Sequence, residues 1–117
     1  MLNQMVEYSA PGLDGIYRAL SHPVRRDLVG RLSHQGARGV RVTELAAPYS
    51  MSLAAVSKHI RVLEDSGLVR RSIVGRDHFL ALQSQPLDDA AGWIAECRRF
   101  WTERLDRLEA LLQDPRE

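Results

Sequence analysis

Residues 51–71, MSLAAVSKHIRVLEDSGLVRR, constrain the fold more than any other part of the chain. Ser52 is placed to cap a helix, and Val56, Ile60 and Leu63 then recur at i, i+4 and i+7, a stripe that must face a core. The opposite side carries Ala54, Ala55, Ser57, Lys58 and Arg61, small or donor-bearing side chains that let a helix approach another surface and hydrogen-bond with it. Gly67 is placed to end this helix in a left-handed conformation, and Leu68 and Val69 to begin a strand. Just upstream, Thr43 is placed to cap a brief helix containing Leu45 and Ala46, which Pro48 must terminate because it removes a backbone donor and clashes one turn back. The two helices predict a helix-turn-helix over residues 43–66, and the second has the size that fits a major groove.

The next segment predicts a hairpin over residues 68–82, because two β-prone runs, 68–73 and 78–82, flank Val74-Gly75-Arg76-Asp77. An arginine carried outward on a hairpin directly after such a helix reads as a wing, and Arg76 suits the strongly negative potential of a narrow minor groove. Toward the N-terminus, residues 1–12 end in Pro11-Gly12 and read as a flexible arm. Leu13, Ile16, Tyr17 and Leu20 then repeat at helical spacing. A second helix restarts at Ser21-His22-Pro23, with Ser21 as a cap, Pro23 in the first turn and Val24, Leu28, Val29 and Leu32 as its apolar stripe. It stops before Gly36 and Gly39, and residues 40–42 have room for one short strand.

The C-terminal segment, residues 87–112, repeats Leu87, Ala91, Ile94, Cys97 or Arg98, Trp101, Leu105, Leu108 and Leu112 at steps of three and four. A helix this long carries more apolar face than one small domain can cover. Trp93, Phe100 and Trp101 enlarge that face with side chains favoured as interface anchors. The fold class is therefore mainly α with a β-hairpin wing: a winged helix-turn-helix over residues 13–112, ordered helix, helix, short strand, helix, helix, strand, strand, helix.

A chain of 117 residues is about one domain. The net charge of +1 hides an uneven distribution: residues 15–83 hold eleven bases against five acids, whereas from residue 84 onward eight acids face five arginines. With no apolar run long enough for a membrane span and no secretory leader pattern, the sequence reads as cytoplasmic, with no membrane partner. Cys97 is the single cysteine, which excludes an intramolecular disulfide and a cysteine zinc cluster within one chain. There is no glycine-rich phosphate loop, no H-E-x-x-H and no G-x-S-x-G, so nothing points to an enzyme.

Three stretches, ALSHPVRRDLVGRL, VTELAAPYSMSLAAVSKHIRVLEDSGLV and GRDHFLAL, with a C-terminal helix like RRFWTERLDRLEALL, together resemble the ArsR/SmtB family of winged-helix bacterial transcription regulators. The resemblance implies a homodimer that binds double-stranded DNA at an operator palindrome and usually represses. Carried over residue by residue, it implies a DNA-binding recognition helix at residues 52–65 that begins at Ser52, with Ala54, Ala55, Ser57 and Lys58 at base edges or nearby phosphates, Arg61 on the backbone and Arg76 on the wing, Ser52 being counted among the DNA-binding residues. His59, in the S-x-H pattern, either touches phosphate or packs beside Val56 and Ile60. The family pairs its last helix with the partner's first helix, which implies a dimer face from Leu13, Ile16, Tyr17, Trp93, Ile94, Cys97, Phe100, Trp101, Leu105 and Leu108. The family's metal ligands are missing: ELAAPYS has no cysteine and the last helix no histidine, so no metal or other cofactor is expected and the inducing ligand is left unnamed. A second reading, from a different class, is a winged helix that docks a protein through the same face without specific DNA binding.

Overall fold

The computed structural model describes residues 12–35 and 39–113. Residues 12–19 form α1, followed by α2 (Pro23–Ser33), β1 (Val40–Arg41), α3 (Val42–Ala46), α4 (Leu53–Asp65), β2 (Val69–Val74), β3 (Asp77–Leu82) and α5 (Ser84–Leu112). This is a winged helix-turn-helix. The expected arm lies outside the described residues up to position 11, and residue 12 is already helical. No helix among the described residues is long and apolar enough to cross a membrane.

One buried cluster organises these elements. Leu28, Val29 and Leu32 of α2, Leu45 of α3, the α4 stripe Val56, Ile60 and Leu63, Leu68 and Val69 at the start of β2, and Leu80 of β3 meet Ile16 and Ala19 of α1. Removing these aliphatic side chains from water is the main drive for folding, at about 1.5–3 kcal/mol for each large one. Ile16 retains only 3% of its exposure, so it seats α1 in the core of its own chain and offers no surface to a second copy. Two arginines fasten the same corner: Arg25 donates to the carbonyls of Ala19 (2.7 Å) and Arg18 (3.0 Å), and Arg26 to that of Leu20 (2.8 Å). These carbonyls lie at the end of α1, where cations are favoured by the helix dipole.

Helix boundaries follow capping chemistry, with three departures from the sequence pattern. At α2 the cap is His22, whose Nδ1 accepts from the Val24 amide at 3.1 Å; Ser21 instead donates its hydroxyl back to the Arg18 carbonyl. α3 begins at Val42 with Arg41 as its flanking residue and no side-chain cap, so Thr43 lies inside the helix, because β1 runs directly into it. α5 starts at Ser84, three residues before Leu87, since Pro86 falls in the first turn, where its missing N–H leaves nothing unpaired. Ser52 caps α4 as its spacing predicts, accepting from the Ala55 amide at 3.1 Å.

The C-terminus of α4 closes in a Schellman arrangement. Leu68 N–H donates to the Leu63 carbonyl (3.1 Å), Gly67 N–H donates to that of Glu64 (3.0 Å), and Gly67 takes φ +83°. Leu63 and Leu68 are both fully buried, so the turn that ends the helix also aims β2 at the core.

β1 joins the hairpin as a third strand, in the order β1-β3-β2, with both pairings antiparallel. The register places Val69, Arg71 and Ile73 of β2 opposite Leu82, Leu80 and His78 of β3, with Val40 also opposite Leu80. Arg70, Ser72, Ala81, Phe79 and Arg41 take the other face. The hairpin closes through Gly75 and Arg76 alone, with Gly75 at φ +63° in the first loop position, as a type II′ turn requires.

α5 spans 29 residues, about 43 Å at the usual helical rise. Its contact with the body is made by Ala90, which is buried, by Leu87, and by Trp93, whose ring meets that of Tyr17 edge-on at 6.2 Å. Ala91, placed on the inner stripe by its spacing, is exposed; the helix turns its neighbour Ala90 to the core.

Gly67→Ala tests the turn. A Cβ there would meet nothing closer than Pro86 at 3.9 Å, so only the left-handed backbone is penalised. Urea unfolding is expected to show a loss of about 1–2 kcal/mol.

Candidate nucleic-acid interface

The outer side of α4 and the wing enclose two adjoining open grooves. One is lined by Ser57, Arg61, Glu64, Asp65, Arg71 and His78. The other runs toward the start of α3 and the wing tip, and brings Thr43, Leu53, Ser57 and Arg76 together. Ser57, four residues after Leu53 and four before Arg61, borders both. Ala54, Lys58 and Arg61 are exposed along α4, and Arg76 is exposed in the turn at the wing tip.

Not every residue singled out by sequence is open in this way. The Ser52 side chain is exposed but already accepts the capping hydrogen bond, and Ala55 is half-buried behind it. His59 turns toward α2: Arg25 donates to its Nδ1 at 3.0 Å, and its ring lies 4.3 Å from that of His22. An arginine can only donate, so Nδ1 is the acceptor and the neutral ring carries its proton on Nε2. Burial, aided by the nearby His22 and Arg25, lowers the His59 pKa below the ordinary histidine value. His59 thus packs against α2 and ties α4 to it.

Arg71 holds the wing against α4. Its guanidinium donates to both oxygens of Glu64, from Nε at 3.2 Å and from an Nη at 2.8 Å, and its other Nη donates to His78 Nδ1 at 3.0 Å. The bonds from Arg71 hold the Glu64 carboxyl below the usual glutamate range, against the opposing effect of partial burial, and Glu64 raises the Arg71 pKa in return. This fork geometry is the strong kind of ion pair, and it joins residues on two elements. At the other side of the sheet Arg41 pairs with Asp77 at 3.4 Å and lies over the Phe79 ring. Arg31 donates to the Leu45 carbonyl at 2.6 Å and stacks over Tyr49, whose hydroxyl bonds Asp27, so α2 also braces the turn between α3 and α4.

As groove residues the sequence pattern passed over Arg71, Glu64 and Leu53, and it read Thr43 only as a helix cap. For Arg71 a signal existed in the strand alternation, since it shares a face with the buried Val69 and must therefore point toward α4. Among the described residues no three His, Cys, Asp or Glu side chains converge as metal ligands would. The His22–His59 pair already uses both Nδ1 atoms as acceptors.

Residues 20–72 match the helix-turn-helix domain family. The chain is 33% identical over 86 residues to the uncharacterized HTH-type transcriptional regulator YuzN of Bacillus subtilis, covering 69% of this chain and 94% of that protein. It is 32% identical over 108 residues to the HTH-type transcriptional regulator Rv2034 of Mycobacterium tuberculosis, covering 92% and 94%. A crystal structure of an ArsR family transcriptional regulator superposes with a TM-score of 0.73 at 40% identity, over 80% of this chain and 93% of that one. The chain belongs to the ArsR family of transcriptional regulators. Regulators of this family bind DNA.

If the Glu64–Arg71 pair ties the wing to this ArsR-family body, Glu64→Gln is expected to cost about 1–2 kcal/mol in urea unfolding at neutral pH. The Glu64 pKa is lowered by folding, so the stability it adds is present above the ordinary glutamate value and is lost as the pH falls through its lowered value. The gap between wild type and variant should therefore close on acidification through that window.

Proposed function

We propose that this regulator is a homodimer that reads an inverted-repeat DNA operator and represses by occupying it, excluding RNA polymerase. The observation that carries the reading is the side of α4 turned away from the core, where Ala54, Lys58 and Arg61 stand open beside a wing tipped by Arg76. Small side chains permit close approach to base edges, and the bases neutralise phosphates on either side of a groove. Of the two carboxylates lining the groove beside Arg61, Glu64 is already paired with Arg71 and so opposes a polyanion less, while Asp65 is exposed and makes no ion pair to another described residue. In this reading Lys58 and Arg61 position the helix on phosphates, Ala54 and Ser57 lie near base edges, and Arg76 enters the adjoining minor groove.

The dimer reading rests on α5 and α1. Trp93, Ile94, Phe100, Trp101, Leu105 and Leu108 remain exposed, Trp101 at 62%, and Cys97 lies exposed among them. Leu13 and Tyr17 of α1 sit at the core margin, and the buried Tyr17 hydroxyl has no partner among the described residues. A second copy covering this stripe would remove a large apolar surface from water. Two-fold symmetry would then set the recognition helices about 34 Å apart, one turn of DNA.

Selection of bound duplexes from a random pool tests the function directly, the expected product being an inverted repeat with half-sites about ten base pairs apart. On that duplex, Lys58→Ala and Arg76→Ala should each reduce the slope of log K against log salt by about 0.9 for every phosphate the side chain neutralises. Unchanged slopes would remove these two residues from the interface. For the dimer, Trp101→Glu combined with Leu108→Glu should sediment as a monomer at micromolar concentration, still unfold cooperatively though at a lower temperature than the dimer, and lose most operator affinity. A double variant that still sediments as a dimer would exclude α5 as the interface.

A further inference from the structure

The geometry points to Leu53 as the side chain that reads a thymine C5 methyl group in each half-site, an inference that rests on the DNA-reading function proposed above. Outside α5, the large apolar side chains left exposed among the described residues are Leu53, Ile73 and Val74. Leu53 is the first residue of α4 and is 54% exposed. The buried stripe of that helix begins one turn later, at Val56, so Leu53 stands past the edge of the core. It borders the groove shared with Thr43, Ser57 and Arg76.

Position and chemistry together select the target. In a helix-turn-helix the N-terminal residues of the second helix contact base edges in the major groove. Those edges display donors and acceptors, with one apolar group among them, the C5 methyl of thymine. An isobutyl side chain makes no hydrogen bond, and against a polar edge it would strip water without replacing it. Against a methyl it gains the burial of both groups. Ile73 and Val74 lie on β2 beside the wing tip, which the proposed docking places at the minor groove, where no methyl is displayed. They do not compete for this role.

The test uses the full chain and the duplex it selects. Each thymine is replaced in turn by deoxyuridine, which removes only the C5 methyl. At one symmetry-related pair of positions, wild type is expected to lose about four-fold in affinity per half-site, the value of one buried methyl-sized group. Leu53→Ala should bind the thymine duplex more weakly by a similar factor and show no uridine effect at that pair. Ile73→Ala should keep the full uridine effect. The exposed position of Leu53 leads us to expect an unchanged thermal transition in Leu53→Ala, which confirms that the comparison is between folded proteins. A half-site lacking thymine, a wild type indifferent to every uridine replacement, or a Leu53→Ala variant as uridine-sensitive as wild type would each overturn the assignment while leaving DNA reading intact. A wild type that enriches no duplex would overturn the DNA-reading function and this inference with it.

Discussion

Val56, Ile60 and Leu63 are buried in one cluster with Leu28, Leu45, Leu68 and Leu80, and this packing decides which side of α4 faces outward. Successive residues on a helix are about 100° apart, so moving the stripe by one position would bury Ser57 or Arg61 and present an aliphatic in its place. The core therefore sets the orientation of the small and basic side of α4 as well as the stability of the body. α2 and α3 seat the helix from one side, and Leu68, delivered by the left-handed turn at Gly67, seals it from the other. The wing is then positioned by the same residues that end the helix.

Strong periodicity made α4 and the hairpin legible in the sequence, and Gly67 and Ser52 marked the helix ends through backbone chemistry that depends on few neighbours. The parts that could not be read depend on contacts distant in sequence. The short strand expected at residues 40–42 is present as β1, but its pairing with β3 could not be read, because two residues show no alternation and the partner edge lies far along the chain. His22 displaces Ser21 as the cap of α2 because Ser21 is drawn back to a carbonyl of α1. The partner of His59 could not be read because its helical position lies at the border between the buried stripe and the open side, and the contact it makes is to Arg25 on α2, distant in sequence.

Charge was the least transparent signal. The excess of bases between residues 15 and 83 is real, yet Arg25, Arg26, Arg31, Arg41 and Arg71 are all engaged within the fold, three of them on backbone carbonyls. A sequence count cannot separate an arginine that caps a helix from one that awaits a phosphate, since both are exposed to the same composition rules. Lys58, Arg61, Arg70 and Arg76 make no side-chain hydrogen bond or ion pair to another described residue. The basic surface left for a polyanion is therefore smaller and more localised around α4 and the wing than the totals suggest.

The tie from Arg71 to Glu64 and His78 bears on how binding entropy is spent. A hairpin projecting alone into solvent would fluctuate, and fixing it on a ligand would cost about 0.5–1.5 kcal/mol for each side chain immobilised, besides the backbone. Here a two-residue turn limits the tip, and the guanidinium fork limits the hinge between strand and helix. That ordering is completed when the chain folds, so the wing is held at one angle to α4 before any ligand arrives. An ion pair so placed lowers the entropy that any ligand of the wing would otherwise have to remove, without itself having to touch that ligand.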